Sequence, residues 1–123
     1  MKILVANIGS TSLKWRLFDF FGDRETVLHK GGIERVEDYA QAIGDCLSQL
    51  LDSGAIQSES ELAAVGFKTV LARDLTGCVR LDEESLSAME AYNDLAPAHN
   101  PPYANGIRLF ARRVPGTPLV GLF

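Results

Sequence analysis

At 123 residues, 46% hydrophobic and 23% charged, the chain has the composition of one globular domain, able to bury roughly two-thirds of the surface its unfolded form exposes. Its net charge is −4 and its basic residues are scattered, which argues against a duplex-binding stripe and against an anionic membrane surface. No stretch is apolar for long enough to span a bilayer, and the opening "MKILVANIG" has neither the h-region nor the cleavage pattern of a signal peptide, so a cytoplasmic protein is expected.

Lys2 to Ile8 is nearly all apolar and reads as a central strand covered on both faces. Ser12 to Phe20 alternates, with Leu13, Trp15 and Leu17 on one face and Ser12, Lys14 and Arg16 on the other. Gly22-Asp23 marks a turn, and Glu25 to Ile33 reads as a third strand ended by Gly31 and Gly32. Short connections between these three imply antiparallel pairing. The period then changes. Val36, Tyr39, Ala40, Ile43, Leu47, Leu50 and Leu51 recur at helical spacing, and Gly54 closes the run. Leu62 to Leu71 reads as a fourth strand, Val79 to Leu81 as a short one, and Asp82 as the cap of a helix through Tyr92. After the loop "DLAPAHNPPYANG", Pro101-Pro102 can open a further helix with Ile107, Phe110 and Ala111 inward, stopped by Pro115 and Gly116. Leu119 to Phe123 begins a last apolar strand. An apolar strand is an unusual place for a chain to stop, so a larger parent is expected.

These elements assemble into an α/β domain. The expected sheet is mixed, a parallel fourth and fifth strand joined by helices extending the antiparallel trio. The two cysteines, Cys46 and Cys78, match no metal spacing and read as free thiols of a reducing compartment.

Chemistry gathers at two places. Asn7 sits at the carboxyl end of the first strand, where ligands collect in open α/β sheets. Gly9 removes a Cβ from the bend, successive turn N–H groups can form an anion nest, and Ser10, Thr11 and Ser12 add hydroxyl donors. Lys14 adds a mobile positive charge on the face of Ser12, and the Asn7 carbonyl suits a hard cation such as Mg²⁺ through an intervening water or ligand. This is a candidate phosphate-handling hairpin. A polar turn with a solvated lysine has the same composition, and no Gly-Lys-Ser/Thr ending or following helix makes it a P-loop. The second place is "LAPAHNPP". His99 stands just before a helix start, where it could donate to a phosphoryl oxygen or simply cap the helix. His29, alone in an alternating strand, reads as structural or solvent-facing, and Lys68 as either a cleft residue or a snorkelling strand lysine.

The two motifs together resemble one family. "NIGSTSLKWRLFD" is similar to the Asn-x-Gly-Ser-x-Ser-x-Lys opening of the acetate and butyrate kinases, and "LAPAHNPP" to their Leu-Ala-Pro-x-His-Asn-Pro-Pro loop. The resemblance covers the whole chain but about the first third of a full-length member. It implies an actin-like (ribonuclease H-like) ATPase half, a five-stranded sheet in spatial order 3-2-1-4-5 with the first three strands antiparallel and helices on its faces, residues 1–123 forming a single amino-terminal domain of a two-domain kinase. It also implies transfer of the ATP γ-phosphoryl group, with Mg²⁺, to a short-chain carboxylate to give an acyl phosphate. By matching positions, Asn7 would help hold the metal, Ser10, Ser12 and Lys14 would face the nucleotide phosphates, and His99 would stabilise the transferring group. Lys68 and Val70 would line the carboxylate pocket.

The chain also departs from the family. Where members read Gly-His-Arg-Val-Val-His-Gly-Gly, it reads Gly66-Phe67-Lys68-Thr69-Val70-Leu71-Ala72-Arg73. An ammonium cannot grip a carboxylate through two parallel hydrogen bonds as a guanidinium does, which argues against acetate as the acceptor. The strand at Leu119 leads, in the family, into a segment holding a catalytic aspartate, which this chain does not reach. The isolated polypeptide is therefore expected to be inactive. The alternative is a non-catalytic half-domain that binds a partner, or one subunit of a split enzyme.

Overall fold

A computed structural model describes residues 1–68, 78–82 and 100–122. Its strands are β1 (Lys2–Ile8), β2 (Ser12–Phe21), β3 (Arg24–Glu34), β4 (Leu62–Lys68), β5 (Cys78–Arg80) and β6 (Leu119–Leu122). Two helices, α1 (Tyr39–Asp52) and α2 (Asn100–Arg113), and a single 3-10 turn, Glu59–Glu61, complete the described elements.

The six strands form one sheet in the order β3-β2-β1-β4-β6-β5. β1, β2 and β3 pair antiparallel in sequence, while β4 runs parallel to β1 and β6 parallel to β4. This is the expected mixed sheet and the expected order, with β5 added as an antiparallel edge strand beyond β6. The expected helix from Asp82 to Tyr92 and the end of the fourth strand, Thr69 to Leu71, lie outside the described residues.

The core lies on one side of this sheet. Leu4, Ala6 and Ile8 of β1 and Leu13, Trp15 and Leu17 of β2 point into it, as period-two alternation requires. Both helices cover that same face. α1 presents Ala42, Ile43, Cys46, Leu47 and Leu50 to it, and α2 presents Ala104, Ile107, Phe110 and Val114. Phe110 meets Phe67 of β4 edge to face, with ring centroids 5.3 Å apart. Gly106 lets α2 approach closely, since a Cβ there would fall 2.5 Å from Ile8 Cδ1. Cys46 is free and fully buried, and burial pushes its thiol up to about 12, so it behaves as a neutral core side chain.

Four expectations change in detail. β1 is not covered on both faces among the described residues, because Val5 is 38% exposed opposite Leu4 and Ala6. α1 starts at Tyr39 rather than Val36. The Asp38 carboxylate accepts hydrogen bonds from the Ala40 and Gln41 N–H groups and so fixes the first turn there. Ala40 and Ala111, assigned inward by spacing, are exposed, and their places are taken by Ala42 and Cys46 on α1 and by Ala104 and Val114 on α2. β3 runs through Gly31 and Gly32 instead of stopping there. The reason is packing. The Trp15 indole lies over Gly31, where a Cβ would sit 2.4 Å from Trp15 Cζ2. The missing side chain is what lets the ring in.

Candidate functional site

The carboxyl ends of β1, β4 and β6 share one edge of the sheet because these strands are parallel. The bend Gly9-Ser10-Thr11 that joins β1 to β2 protrudes from this edge. It is closed by a hydrogen bond from the Gly9 N–H to the Ser12 carbonyl, at 2.9 Å. A Cβ on Gly9 would lie 2.5 Å from Ser12 Oγ, so the glycine leaves room for that hydroxyl at the tip. Thr11 is tied down through its carbonyl, which accepts from the Val36 N–H at 2.8 Å. Ser10 and Thr11 are exposed, and Ser12 is half-buried.

Both described helices begin at this edge. Tyr39, the first residue of α1, donates its hydroxyl to the Gly9 carbonyl and, at 3.5 Å, to the Ser12 carbonyl. Burial raises the Tyr39 phenol above its ordinary value, partly offset by the bond to Ser12, so it stays a donor at neutral pH. The other end of α1 lies at the opposite edge, where Lys2 Nζ donates to the Ala55 carbonyl at 2.8 Å. α2 runs the same way. Arg113 at its end grips Glu59 through two bonds, 2.8 and 3.0 Å, just before β4 starts. Gly106 is level with Ile8, so the six residues back to Asn100 carry the helix start about 9 Å further, beyond the edge. Two positive helix ends thus flank the bend, although Asp38 already occupies two N–H groups of α1.

On the open face, Asn7 and Lys14 are direct cross-strand partners, and Arg16 stands opposite Val5. Lys14 Nζ is 3.7 Å from the Glu34 carboxylate. Their side chains are 63% and 69% exposed, so solvent screens this pair and an incoming anion can displace it. A groove of about 300 Å³ opens here, lined by Asn7, Lys14, Arg16 and Lys30 over the backbone of Trp15 and Gly31.

The structure thus brings Asn7, Ser10, Ser12 and Lys14 together around one bend. β1 and β4 are in register at Ala6 and Phe67, which puts the Lys68 backbone level with Asn7 at the same edge. Nothing is described of the Lys68 side chain, and Val70 and His99 lie outside the described residues. Asn100, which follows His99, starts the helix that overhangs this edge. As a metal site, the described residues offer the Asn7 amide oxygen and no cluster of three or more His, Cys, Asp or Glu. That fits a Mg²⁺ ion held mainly through water and phosphate oxygens and does not fit a protein-caged metal.

Some participants were missed by sequence reasoning. Tyr39 was counted only as an apolar helix position, yet its hydroxyl secures the bend. Glu34 reaches Lys14 only through the β2–β3 register. His29, read as having no companion, accepts the Trp15 indole N–H at 3.1 Å, with the two ring planes nearly parallel. Its partner becomes visible only once Trp15 and His29 are known to share a face.

The model of the acetokinase family matches residues 32–123. Acetate kinase of Carboxydothermus hydrogenoformans is 35% identical over 149 aligned residues, taking in all of this chain and 37% of that protein. Among solved structures, Porphyromonas gingivalis acetate kinase superimposes with a TM-score of 0.91 at 28% identity, over 99% of this chain and 37% of the other. A propionate kinase from Francisella tularensis shares the fold, with a TM-score of 0.76 at 24% identity and 36% of its chain covered. The chain therefore spans little more than a third of the relatives it matches. With three-quarters of its own length inside the family model, the chain belongs to the acetokinase family.

Proposed function

We propose that residues 1–123 form one domain, the amino-terminal, phosphate-handling part of a cytoplasmic ATP-dependent carboxylate kinase. The reaction is attack of a short-chain carboxylate oxygen on the γ-phosphorus of ATP, breaking the bond to the bridging oxygen and giving an acyl phosphate and ADP. The observation that carries the reading is the convergence, at one sheet edge, of the Gly9–Thr11 bend, the Asn7–Lys14 pair and the start of α2. Phosphoryl transfer needs mainly positioned donors and charge stabilisation, and these residue types supply them.

In this reading Ser10 and Ser12 donate hydroxyls to phosphate oxygens, and Lys14 leaves Glu34 to neutralise phosphate charge. Asn7 helps hold Mg²⁺, which when bound offsets the negative charge of the phosphates. His99, just ahead of the overhanging helix, donates to the transferring group. Lys68 and Val70 line the carboxylate pocket. The remaining parts of the catalytic centre belong to a carboxyl-terminal domain, so the isolated chain turns nothing over.

The test joins this chain to the carboxyl-terminal remainder of the Carboxydothermus hydrogenoformans relative and traps acyl phosphate as the hydroxamate. Substrates are MgATP with formate, acetate, propionate or butyrate. Product from the fusion and none from the chain alone is expected, with Lys14→Gln lowering the rate about 100-fold or more, the scale of one transition-state donor. Lys68→Arg should raise the rate with acetate relative to longer acids. A folded fusion that yields no acyl phosphate, while the relative itself does, overturns the proposal.

A further inference from the structure

The phosphate-handling bend is one end of a longer cationic surface. Arg16 of β2 and Lys30 of β3 are direct cross-strand partners, and Lys14 stands two residues along β2 on the same face. Two like charges placed opposite each other on a sheet destabilise the pair unless an anion lies between them. Neither Arg16 nor Lys30 has an ion-pair partner among the described residues. Across β1 to β3 this face carries two acids. Glu34, opposite Ser12, is already on Lys14, and Glu25, opposite Phe20, stands at the far end. Both Arg16 and Lys30 line the groove that begins at Asn7 and Lys14. In a chain of net charge −4, this is a local reversal of sign.

We infer that the groove from Lys14 to Arg16 and Lys30 binds an extended phosphate anion, a triphosphate or longer, running down the open sheet face from the bend. The inference rests on the phosphate-handling reading of the bend and extends it. Consecutive same-face positions on β2 are about 7 Å apart, so the three cations suit a chain of linked phosphates better than one orthophosphate. Arg16 adds the planar fork that pairs with two phosphate oxygens, while Lys14 and Lys30 act as point charges.

Only the Trp15 backbone borders the groove, its indole being buried on the opposite face, so occupancy is read as heat of binding. The full 123-residue chain is titrated by calorimetry at low salt with sodium tripolyphosphate, orthophosphate and ATP. Tripolyphosphate should bind more tightly than orthophosphate. Arg16→Gln and Lys30→Gln should each weaken it about three- to fivefold, the scale of one exposed charge pair, and leave orthophosphate unchanged. Displacement of tripolyphosphate by ATP identifies the anion as a nucleotide tail, and failure to displace identifies it as inorganic polyphosphate. Both variants keep an exposed surface position, and circular dichroism checks their folding. Equal affinity for the two inorganic anions, or tripolyphosphate binding untouched by either variant, overturns the inference. If Lys14→Gln then still abolishes orthophosphate binding, the reading of the bend survives and only the groove is lost.

Discussion

From Leu4 to Val5 the chain advances one residue and passes from a fully buried position to one that is 38% exposed. From Trp15 to Arg16 it makes the same crossing, from 2% exposure to an exposed cation. One sheet therefore has two unlike faces. The covered face carries Leu4, Ala6, Ile8, Leu13, Trp15 and Leu17 against two helices, with charge only at its far end, on Lys2 and Asp19. The open face carries Asn7, Lys14, Arg16 and Lys30 around a groove. Burial stabilises through area and packing, whereas an exposed charge is solvated in the folded and unfolded states alike. The comparison teaches that stability and ligand chemistry can be altered almost independently in this domain, because the pleat separates them by a single residue step.

The hardest blow to the covered face is Phe110→Ala. Phe110 is fully buried against Phe67, and its loss should cost about 3–5 kcal/mol, a large share of the roughly 5–15 kcal/mol expected of a folded domain. Urea unfolding followed by Trp15 fluorescence measures it, and a cost below 1 kcal/mol would mean the described core is not the stabilising one. Gly31→Val tests the same face where the sheet and not a helix forms the contact. The new side chain must displace the indole, at about 1–3 kcal/mol, with a red-shifted tryptophan emission. Unchanged emission would show that Trp15 does not rest on Gly31. The smallest effect belongs to the open face. Lys14→Gln should move stability by no more than about 0.5 kcal/mol while weakening orthophosphate binding to the chain. A large stability loss there would erase the distinction between the faces.

Much of this arrangement was legible in the residues. The alternation of Ser12 to Phe20 separated Lys14 from Trp15, and the spacing of Ile43, Leu47 and Leu50 described a helix with one buried side. The Gly22-Asp23 turn is where it was expected, with Gly22 at φ 59°. Asn7, the three hydroxyls and Lys14 stood out because a glycine bend carrying donors at a strand's carboxyl end can hold an anion, although a plain polar turn has the same composition. Helix starts were less legible. Val36 fits the period of α1, but Asp38 offers a carboxylate to the first free N–H groups and settles the boundary locally. Ala40 and Ala111 failed as core positions because a methyl group is as acceptable at a helix flank as in its centre.

By itself, then, the sequence determined the strands and helices and the cluster of donors after the first strand, because periodicity and turn chemistry act within a few residues. Tertiary structure alone decided which side chains meet across β2 and β3. Counting back from the Gly22-Asp23 turn would set Trp15 opposite Lys30. A bulge at Leu28 adds one residue to β3, so that Trp15 meets Gly31 and Arg16 meets Lys30. A shift of one residue exchanges the faces of everything beyond it, and no local pattern announces it. The packing of the indole, the companion of His29 and the pair of unmatched cations over the groove all follow from that one extra residue.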